Sequence, residues 1–226
     1  MKACIHQPNY LPYLGIFNKI KNSDVFVIYD VAQYVKDRFD NRNQIKTPTD
    51  AQWLTIPLRD KDSYLKRIYE VKLPNDDSWK KDHCRSIEVN YSKTKYFPLL
   101  FPKLKRIYDK KYVLFADFTI SIIKFLMGSF KIKTKIVKAS DMNLDLKKKS
   151  TEMIVQILKG VKADEYLAGA SGKKYMDEAL LTKSNIKVSY QHFNHPIYTQ
   201  RFSPFIKNLA AIDLLFNEGP NSKKFI

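Results

Sequence analysis

The residues best suited to chemistry stand near the start of the chain, where residues 6–15 read HQPNYLPYLG. The imidazole of His6 can accept or donate a proton near neutral pH. The amides of Gln7 and Asn9 and the phenol of Tyr10 can orient a polar substrate. Two prolines fix φ and stiffen the loop, which is typical of a binding site. A tight connection capped by Asn9, with no other role, remains the alternative.

Three predicted elements surround this loop. Residues 2–6 form an apolar first strand, and apolar residues at helical spacing predict a helix over residues 11–22. The continuous apolar run 25–29 predicts a second strand buried on both faces, as in a parallel sheet. Strand, helix and strand form a βαβ unit with a right-handed crossover. Open α/β sheets bind ligands at the loops that follow such strands.

A second group of polar residues follows the second strand. Asp30 ends that strand and is a candidate acid or base, and the amide of Gln33 follows it. Arg42, flanked by Asn41 and Asn43, suits a phosphate or a carboxylate. A turn is the alternative for the two asparagines, because Asn tolerates left-handed backbone geometry. In a parallel sheet this group would lie beside the 6–9 loop.

A third group follows the predicted strand 165–168. Residues 169–174 read GASGKK and precede a helix, so Ser171, Gly172 and Lys173 are candidates to bind a phosphate together with backbone amides. The glycines alone are a weak signal, since the segment matches neither the Walker nor the dinucleotide-binding pattern. Its position after a strand is the stronger argument.

The last predicted strand, 186–193, also ends in polar residues. His195 is a candidate acid, base or phosphate contact, and packing beside Pro196 is the alternative. His192 and His195 are three residues apart, but no third ligand has suitable spacing, so no metal is predicted. Asp213 lies inside an apolar helix predicted over 209–216 and is either a site residue or a buried ion-pair partner.

The remaining pattern completes an α/β fold. Strands are also predicted at 53–58, 68–73 and 134–139, and residues 78–128 are mostly helical, divided by Pro98 and Pro102. We therefore predict one domain over residues 1–226, with a mainly parallel, doubly wound sheet and a helical insertion near 78–130. No apolar run approaches the roughly 18 residues of a membrane span.

Composition bounds the function. The net charge is +17, but 33 of the 40 basic residues are lysines spread along the chain. Specific nucleic-acid recognition relies on arginine, so we expect only weak, salt-sensitive DNA binding. An anionic substrate or an anionic membrane face explains the charge equally well. The only cysteines, Cys4 and Cys84, suit a reduced, cytoplasmic protein, and Cys4 is expected to be a buried thiol rather than a nucleophile.

Taken together, these segments resemble the WbqC-like family over almost the whole chain. The resemblance rests on six segments: HQPNYLP at 6–12 with Gly15, FVIYD at 26–30 with QY at 33–34, NRN at 41–43, YLAG at 166–169 with Ser171, Gly172 and Tyr175, YQ at 190–191 with HPIY at 195–198, and DLLFN at 213–217 with GP at 219–220. It adds Tyr175, Gln191 and Tyr198 to the candidate substrate-binding residues. Where the family tends to read Asp-Asp-Val-Gln, this chain has Asp30-Val31-Ala32-Gln33, so a pair of carboxylates is missing there.

A weaker resemblance concerns the opening βαβ segment, which is similar to pantothenate synthetase among the nucleotidyltransferases with a HIGH motif. Residues 12–16, PYLGI, stand where that signature would be, so the ATP site does not carry over. The resemblance implies amide-bond formation with an activated acid, by analogy of fold alone.

The two resemblances imply one function. The WbqC-like family is associated with bacterial O-antigen and other surface-polysaccharide clusters, so we expect an enzyme that transfers an acyl or aminoacyl group to a nucleotide-linked amino sugar. His6 or His195 would act as the base, with Asp30 as a further catalytic candidate. ATP and an acyl thioester both remain open as donors. The alternatives are a non-catalytic nucleotide-sugar or glycan-assembly binding protein and, third, a basic nucleic-acid-binding protein.

Overall fold

A computed structural model describes residues 1–36 and 38–226. The strands in the described residues are β1 (Lys2–His6), β2 (Val25–Ile28), β3 (Arg42–Lys46), β4 (Ala51–Thr55), β5 (Lys135–Lys138), β6 (Glu165–Ala168) and β7 (Lys187–Tyr190). The helices are α1 (Leu14–Lys21), α2 (Ser78–Tyr91), α3 (Phe97–Tyr108), α4 (Phe115–Ser129), α5 (Ser150–Gly160), α6 (Glu178–Lys183) and α7 (Ile212–Glu218).

The described chain divides into two compact units, and each is assembled from three separate stretches. The sheet unit comprises Met1–Gln7, Gly15–Ala32 and Lys133–Asn194. The helical unit comprises Pro8–Leu14, Gln33–Ile132 and His195–Ile226. The single domain expected over residues 1–226 stays a prediction, because this division does not say whether either unit folds alone.

The sheet unit contains one parallel five-stranded sheet in the order β5-β2-β1-β6-β7. Its central strand β1 buries Ala3, Cys4 and Ile5, and β2 is buried along its whole length. Helix α1 buries Ile16, Phe17 and Ile20, the face that the helical periodicity predicted. The α/β fold with a mainly parallel, doubly wound sheet is therefore confirmed.

Alternation along β1 sorts its side chains between the two faces of the sheet. Cys4 and His6 share one face, and Ile5 points to the other. Helix α1 lies beside β1, since Lys19 Nζ donates to the Ile5 carbonyl at 3.0 Å. Right-handed crossovers place α1 on one face and the helices that follow β5 and β6 on the opposite face.

The helical unit packs α2, α3 and α4 around aromatic rings. Phe118 of α4 lies at 5.3–6.2 Å, ring centre to ring centre, from Trp79, Tyr108, Tyr112 and Tyr10. Strands β3 and β4 form an antiparallel hairpin in the same unit. The predicted helical content of residues 78–128 is thus confirmed.

Several predicted boundaries and elements were wrong. Helix α1 begins at Leu14 rather than at residue 11, because Leu11 adopts a left-handed φ of 43°. The last helix runs over Ile212–Glu218 rather than 209–216. Strand β4 ends at Thr55, before the proline of the predicted strand 53–58.

The predicted strand over 68–73 is a 3-10 turn at Ile68–Glu70, followed by an isolated bridge between Lys72 and Leu114. Glu70 accepts a hydrogen bond from the Arg67 amide and fixes the turn. The apolar spacing in this segment reflects burial of Ile68 and Val71 rather than strand alternation.

The two prolines expected to divide the helical region both lie in α3. Pro98 occupies its first turn, where no amide donor is needed, and Pro102 lies in its interior. Strand β3 was not predicted, since its polar sequence RNQIK was interpreted as part of a loop.

Candidate functional site

The strand order of the sheet unit contains a switch point, the position at which open α/β sheets bind ligands. From β1 the chain moves to β2 and then β5 on one side, and later to β6 and β7 on the other side. The direction of winding therefore reverses between β1 and β6. In open α/β sheets, ligands bind outside the carboxyl ends of the two strands at this switch point.

The pairing of the strands is weakest at the same position. Strand β1 pairs with β2 over four residue pairs, up to His6 and Ile28. It pairs with β6 at only two, Lys2 with Glu165 and Ala3 with Tyr166, at the amino end of the strands. At their carboxyl ends β1 and β6 thus have no residues paired with each other. This gap between the two strands favours ligand binding there.

His6 ends β1 at the switch point and is partly buried. Burial, reinforced by the positive charge of Lys19, holds the pKa of His6 well below its ordinary value. The imidazole is therefore neutral at physiological pH and able to accept a proton. Gln7, also partly buried, follows directly.

Across the switch point, β6 leads into a 3-10 turn at Ala170–Lys174. Ser171, Lys173 and Tyr175 are exposed, so their side chains are available to a ligand. Gly172 is buried, and its amide donates to the Gly169 carbonyl at 2.8 Å. This amide is thus already used, which weakens the idea that backbone amides hold a phosphate.

The glycine at position 172 has a packing reason. A Cβ there would lie 3.0 Å from the Met176 methyl group and 3.7 Å from the Tyr190 ring. A side chain there would need only a small movement of the flexible Met176 side chain, so packing favours a small residue at this position without requiring glycine. Lys173 and Ser171 remain the stronger candidates for phosphate contacts.

Asp30 and Gln191 lie at the carboxyl ends of β2 and β7, as predicted, but both side chains have protein partners. Asp30 is fully buried and accepts hydrogen bonds from the Ser140 amide at 2.9 Å and hydroxyl at 2.5 Å. Burial raises the pKa of Asp30, and the bonds from Ser140 oppose this. Gln191 Nε2 donates to the Gly15 carbonyl and to Asn18 Oδ1 of α1.

The remaining predicted residues lie in the helical unit. Asn43 Nδ2 donates to the Leu11 carbonyl, and Asn41 Nδ2 donates to the Ile56 carbonyl at 2.8 Å. Both asparagines are buried and hold the main chain in place. Asn43 lies in β3 and Asn41 lies directly before it, rather than in a turn. Asn9 is also buried, and its Oδ1 has no hydrogen-bond donor among the described residues.

Three further candidates of this unit have distinct surroundings. Tyr10 is fully buried, and its hydroxyl bonds to His83 Nδ1 at 2.8 Å and to the Tyr108 hydroxyl. Gln33 donates to the Tyr64 carbonyl at 2.7 Å. The guanidinium of Arg42 lies 4.7 Å from the centre of the Trp53 ring.

His195 is half-buried in the helical unit. Its Nδ1 lies 2.9 Å from the Pro196 carbonyl, which selects the tautomer with the proton on Nδ1 and the lone pair on Nε2. Burial lowers the pKa of His195. Nε2 is itself buried, and the role of His195 as a second base stays a prediction.

Asp213 is the centre of a buried polar cluster. It is fully buried and accepts hydrogen bonds from the hydroxyls of Tyr91 at 2.9 Å and Tyr198 at 2.7 Å, and from Gln200 Nε2 at 2.9 Å. Burial raises the pKa of Asp213, while the three donors and the charge of Lys46 oppose this. Of the two interpretations of Asp213, these contacts favour a structural carboxylate.

Sequence reasoning missed the buried lysines, and Lys46 and Lys19 are two of them. Lys46 ends β3 fully buried, and its Nζ has no hydrogen-bond acceptor in the part of the chain that the structure describes. Lys19 is 6% exposed, and burial lowers its pKa. In a chain with 33 lysines, nothing in the sequence distinguishes these two.

The predicted site residues thus fall into two groups. The sheet unit holds His6, Gln7, Asp30, Ser171, Gly172, Lys173, Tyr175 and Gln191, near the carboxyl ends of its strands. The helical unit holds Asn9, Tyr10, Gln33, Asn41, Arg42, Asn43, His195, Tyr198 and Asp213. Convergence of both groups on one cleft stays a prediction.

Three further features of the described residues concern metal ligands, membrane spans and thiols. Within residues 1–36 and 38–226, no three His, Cys, Asp or Glu side chains are placed to hold a metal ion. None of the described helices has the length and apolar character needed to cross a bilayer. The thiols of Cys4 and Cys84 are both free and buried.

Comparison with known proteins agrees with the sequence resemblance. The chain is 30% identical to the Uncharacterized protein Rv1507c of Mycobacterium tuberculosis over 227 residues, covering 100% of this chain and 97% of that protein. The WbqC-like protein family matches residues 7–225, which include the loop after β1, the turn after β6 and the Asp213 helix. The chain therefore belongs to the WbqC-like protein family.

Proposed function

We propose that this protein is an enzyme that binds a nucleotide-linked amino sugar in the sheet unit and transfers an acyl or aminoacyl group to the sugar amine. The observation that carries the proposal is the switch point between β1 and β6, with His6 at the end of one strand and the Ala170–Lys174 turn after the other. Nucleotides bind at this position in open α/β sheets.

The residues have separate roles in this proposal. Lys173 and the Ser171 hydroxyl bind the diphosphate, since both are exposed beside the switch point and offer a cation and a donor. Gln7 orients the sugar through its amide. For the helical unit, the hypothesis remains that the substrate contacts Arg42, Asn41 and Asn43.

The reaction is amide formation by acyl transfer. The amine nitrogen attacks the carbonyl carbon of the activated acid, a carbon–nitrogen bond forms, and the bond to the leaving group breaks. The nitrogen loses a proton, which the neutral imidazole of His6 accepts. Because the pKa of His6 is lowered by burial, its basic form is fully populated at neutral pH. His195 is the second candidate for this role.

The biological setting follows from the family resemblance. It implies surface-polysaccharide assembly such as O-antigen biosynthesis, in the cytoplasm where nucleotide sugars are made. The donor would be an acyl thioester or an acid activated with ATP.

Binding is the first test. UDP-glucosamine and UDP-glucose should each raise the melting temperature, because a ligand that binds only the folded state stabilises it. Lys173→Ala should weaken UDP binding about 10-fold, the value of one charge-assisted contact. Lys183→Ala is the matched control, since it removes another exposed lysine of the sheet unit. Failure of every nucleotide to bind, or equal losses in both variants, would refute the proposed binding site.

Acyl transfer is the second test. Mass spectrometry of UDP-glucosamine incubated with acetyl-CoA and protein should show the mass of one added acetyl group, with turnover reduced in His6→Gln. The assay is repeated with ATP and free acetate or an amino acid, so that both donor types are tested.

The rival function is a non-catalytic nucleotide-sugar binding protein. It is favoured by Asp30, whose carboxylate is occupied by Ser140 and is therefore a poor acid or base in this conformation. Tight nucleotide-sugar binding without turnover for either type of donor would support the rival.

A further inference from the structure

A cavity of about 360 Å³ lies between helices α2 and α3 of the helical unit. Cys84 and Arg85 of α2 border it on one side, and Lys105 and Tyr108 of α3 border it on the other. Its volume is within the range of small-molecule binding sites. We call this cavity the α2–α3 cleft. None of the candidate site residues described above borders it.

The hydroxyl of Tyr108 is restricted to accepting hydrogen bonds from a ligand. His83 is neutral at physiological pH, since burial lowers its pKa to about 4, and its ring donates to the Thr55 carbonyl. Its Nδ1 therefore accepts, and the Tyr10 hydroxyl 2.8 Å away donates to it. The Tyr10 oxygen then accepts the proton of Tyr108. What remains at Tyr108, which is 2% exposed, is an acceptor for an ammonium or a hydroxyl group.

Four of the charged side chains that border the cleft form two ion pairs. Lys80 Nζ is 2.8 Å from Asp77 Oδ1, and Lys105 Nζ is 2.6 Å from Asp109 Oδ1. Their charges offset each other, so these four residues add no net charge to the cleft.

Three charged side chains of α2 at the cleft have no such partner. Lys81, Arg85 and Glu88 are exposed and form no ion pair with any residue that the structure describes. Arg85 and Glu88 are three positions apart, a spacing at which helix side chains can pair, yet they stay separate. Lys81 and Arg85 are one turn apart on the same face of the helix. The cleft thus offers two unpaired cations and one unpaired carboxylate.

We infer that the α2–α3 cleft binds a small zwitterion of the amino-acid type. Lys81 and Arg85 hold its carboxylate, and Glu88 and the Tyr108 oxygen hold its ammonium group. A ligand with only one of these charges would leave the opposite charge of the cleft without a partner. The inference is independent of the proposed transfer reaction, since it concerns residues of the helical unit alone.

Calorimetric titration provides the first test, with three probes of equal chain length. The zwitterion is 4-aminobutyrate, butyrate carries only the negative charge, and butylamine carries only the positive charge. At constant ionic strength, 4-aminobutyrate should bind with saturation, and the other two probes should bind at least about 5-fold more weakly.

Variants of the cleft provide the second test. Arg85→Gln should weaken the binding of 4-aminobutyrate about 10-fold, the value of one charge-assisted contact. Glu88→Gln should remove the preference for 4-aminobutyrate over butyrate, because the carboxylate that recognises the ammonium group is gone. Arg106→Gln is the matched control, since Arg106 is an exposed arginine of α3 that does not border the cleft.

Cys84 reports where the probe binds. Burial raises the pKa of the Cys84 thiol to about 12, so its alkylation by iodoacetamide is slow and can be followed in time at about pH 9. Peptide mass spectrometry distinguishes Cys84 from Cys4, which is fully buried in the sheet unit. Saturating 4-aminobutyrate should slow the alkylation of Cys84, and butylamine should not.

Each contrary result overturns the inference. Butyrate or butylamine binding as tightly as 4-aminobutyrate would show a site for a single charge. An unchanged rate of Cys84 alkylation would place the bound probe elsewhere. No saturable binding of any probe, or equal losses of affinity in Arg106→Gln and Arg85→Gln, would show that the cleft is not a zwitterion site.

Discussion

Asp30 of the sheet unit and Asp213 of the helical unit are both fully buried carboxylates, but they differ in the number of residues that donate hydrogen bonds to them. Asp30 is bound by a single residue, Ser140, which follows the neighbouring strand β5. Asp213 of α7 accepts hydrogen bonds from Tyr91 of α2 and from Tyr198 and Gln200, which lie before α7. The first carboxylate binds one residue at the end of a neighbouring strand, whereas the second joins three segments of the helical unit.

This comparison separates two kinds of polar residue. In the helical unit the three donors to Asp213 and the Tyr10 hydroxyl beside His83 are hydrogen-bonded in the interior, so removal of these contacts should cost stability. At the carboxyl edge of the sheet unit several polar side chains, such as Ser171 and Lys173, remain exposed. Their removal should cost ligand binding instead.

The largest expected effect is that of Asp213→Ala. The substitution leaves three donors unpaired and the buried Lys46 ammonium without its nearby negative charge, so the free energy of unfolding should fall by about 3–5 kcal/mol. Urea unfolding monitored by circular dichroism measures it. Adding Lys46→Met should recover part of the loss, because the uncompensated charge is then gone. A loss below about 1 kcal/mol would show that Asp213 does not hold the unit together.

The second effect is a pH dependence from His83. Burial lowers the pKa of His83 from 6.5 to about 4. The unfolded state binds the proton more tightly between these values, so stability is full above pH 6.5 and falls as the pH drops toward 4, by about 3 kcal/mol. His83→Gln should flatten the stability curve in this window. Parallel curves for the variant and the parent protein would contradict the assignment.

A smaller effect is expected for Asp30→Ala. Loss of the two hydrogen bonds from Ser140 should lower the free energy of unfolding by about 2 kcal/mol, less than for Asp213→Ala. Ser140→Ala is the matched partner, and the double variant should cost little more than either single one because the residues form one contact. Equal costs for Asp30→Ala and Asp213→Ala would remove the distinction between a carboxylate with one partner and a carboxylate with three.

The smallest effect on stability is expected for Ser171→Ala. The side chain is exposed, so the free energy of unfolding should change by less than about 0.5 kcal/mol. Calorimetric titration with UDP should nevertheless show weaker binding. Unchanged UDP affinity would place the phosphate elsewhere, and a large loss of stability would make Ser171 a structural residue.

The parallel sheet could be predicted because its strands are short apolar runs separated by helical periodicity. Residues 2–6 and 165–168 were placed without error, and 25–29 ended one residue late. Strand β3 was missed, since its polar residues become buried only through pairing with β4, which local sequence does not encode. The winding reversal between β1 and β6 also depends on spatial order rather than on any local pattern.

The candidate site was predicted as a set of strand ends. Eight of its residues lie near the carboxyl ends of strands in the sheet unit, and nine lie in the helical unit. The partners of those members were not predictable. Asp30 bonds to Ser140, and Met176 lies close to Gly172. Both contacts arise because packing brings these residues together. Asn43 was predicted to form a turn or to contact the substrate, and its bond to the Leu11 carbonyl could not be predicted because the two residues are 32 positions apart.

The interleaving of the two units has a consequence for synthesis on the ribosome. Strand β1 is central in its sheet, but its partner β6 begins at Glu165, about 160 residues later. At a synthesis rate of roughly 5–20 residues per second, about 10–30 s pass before β6 is made and can cover the edge of β1 with which it pairs. The helical segments of residues 78–129 emerge within this interval. We therefore expect the nascent chain to need protection by chaperones until β6 has left the exit tunnel.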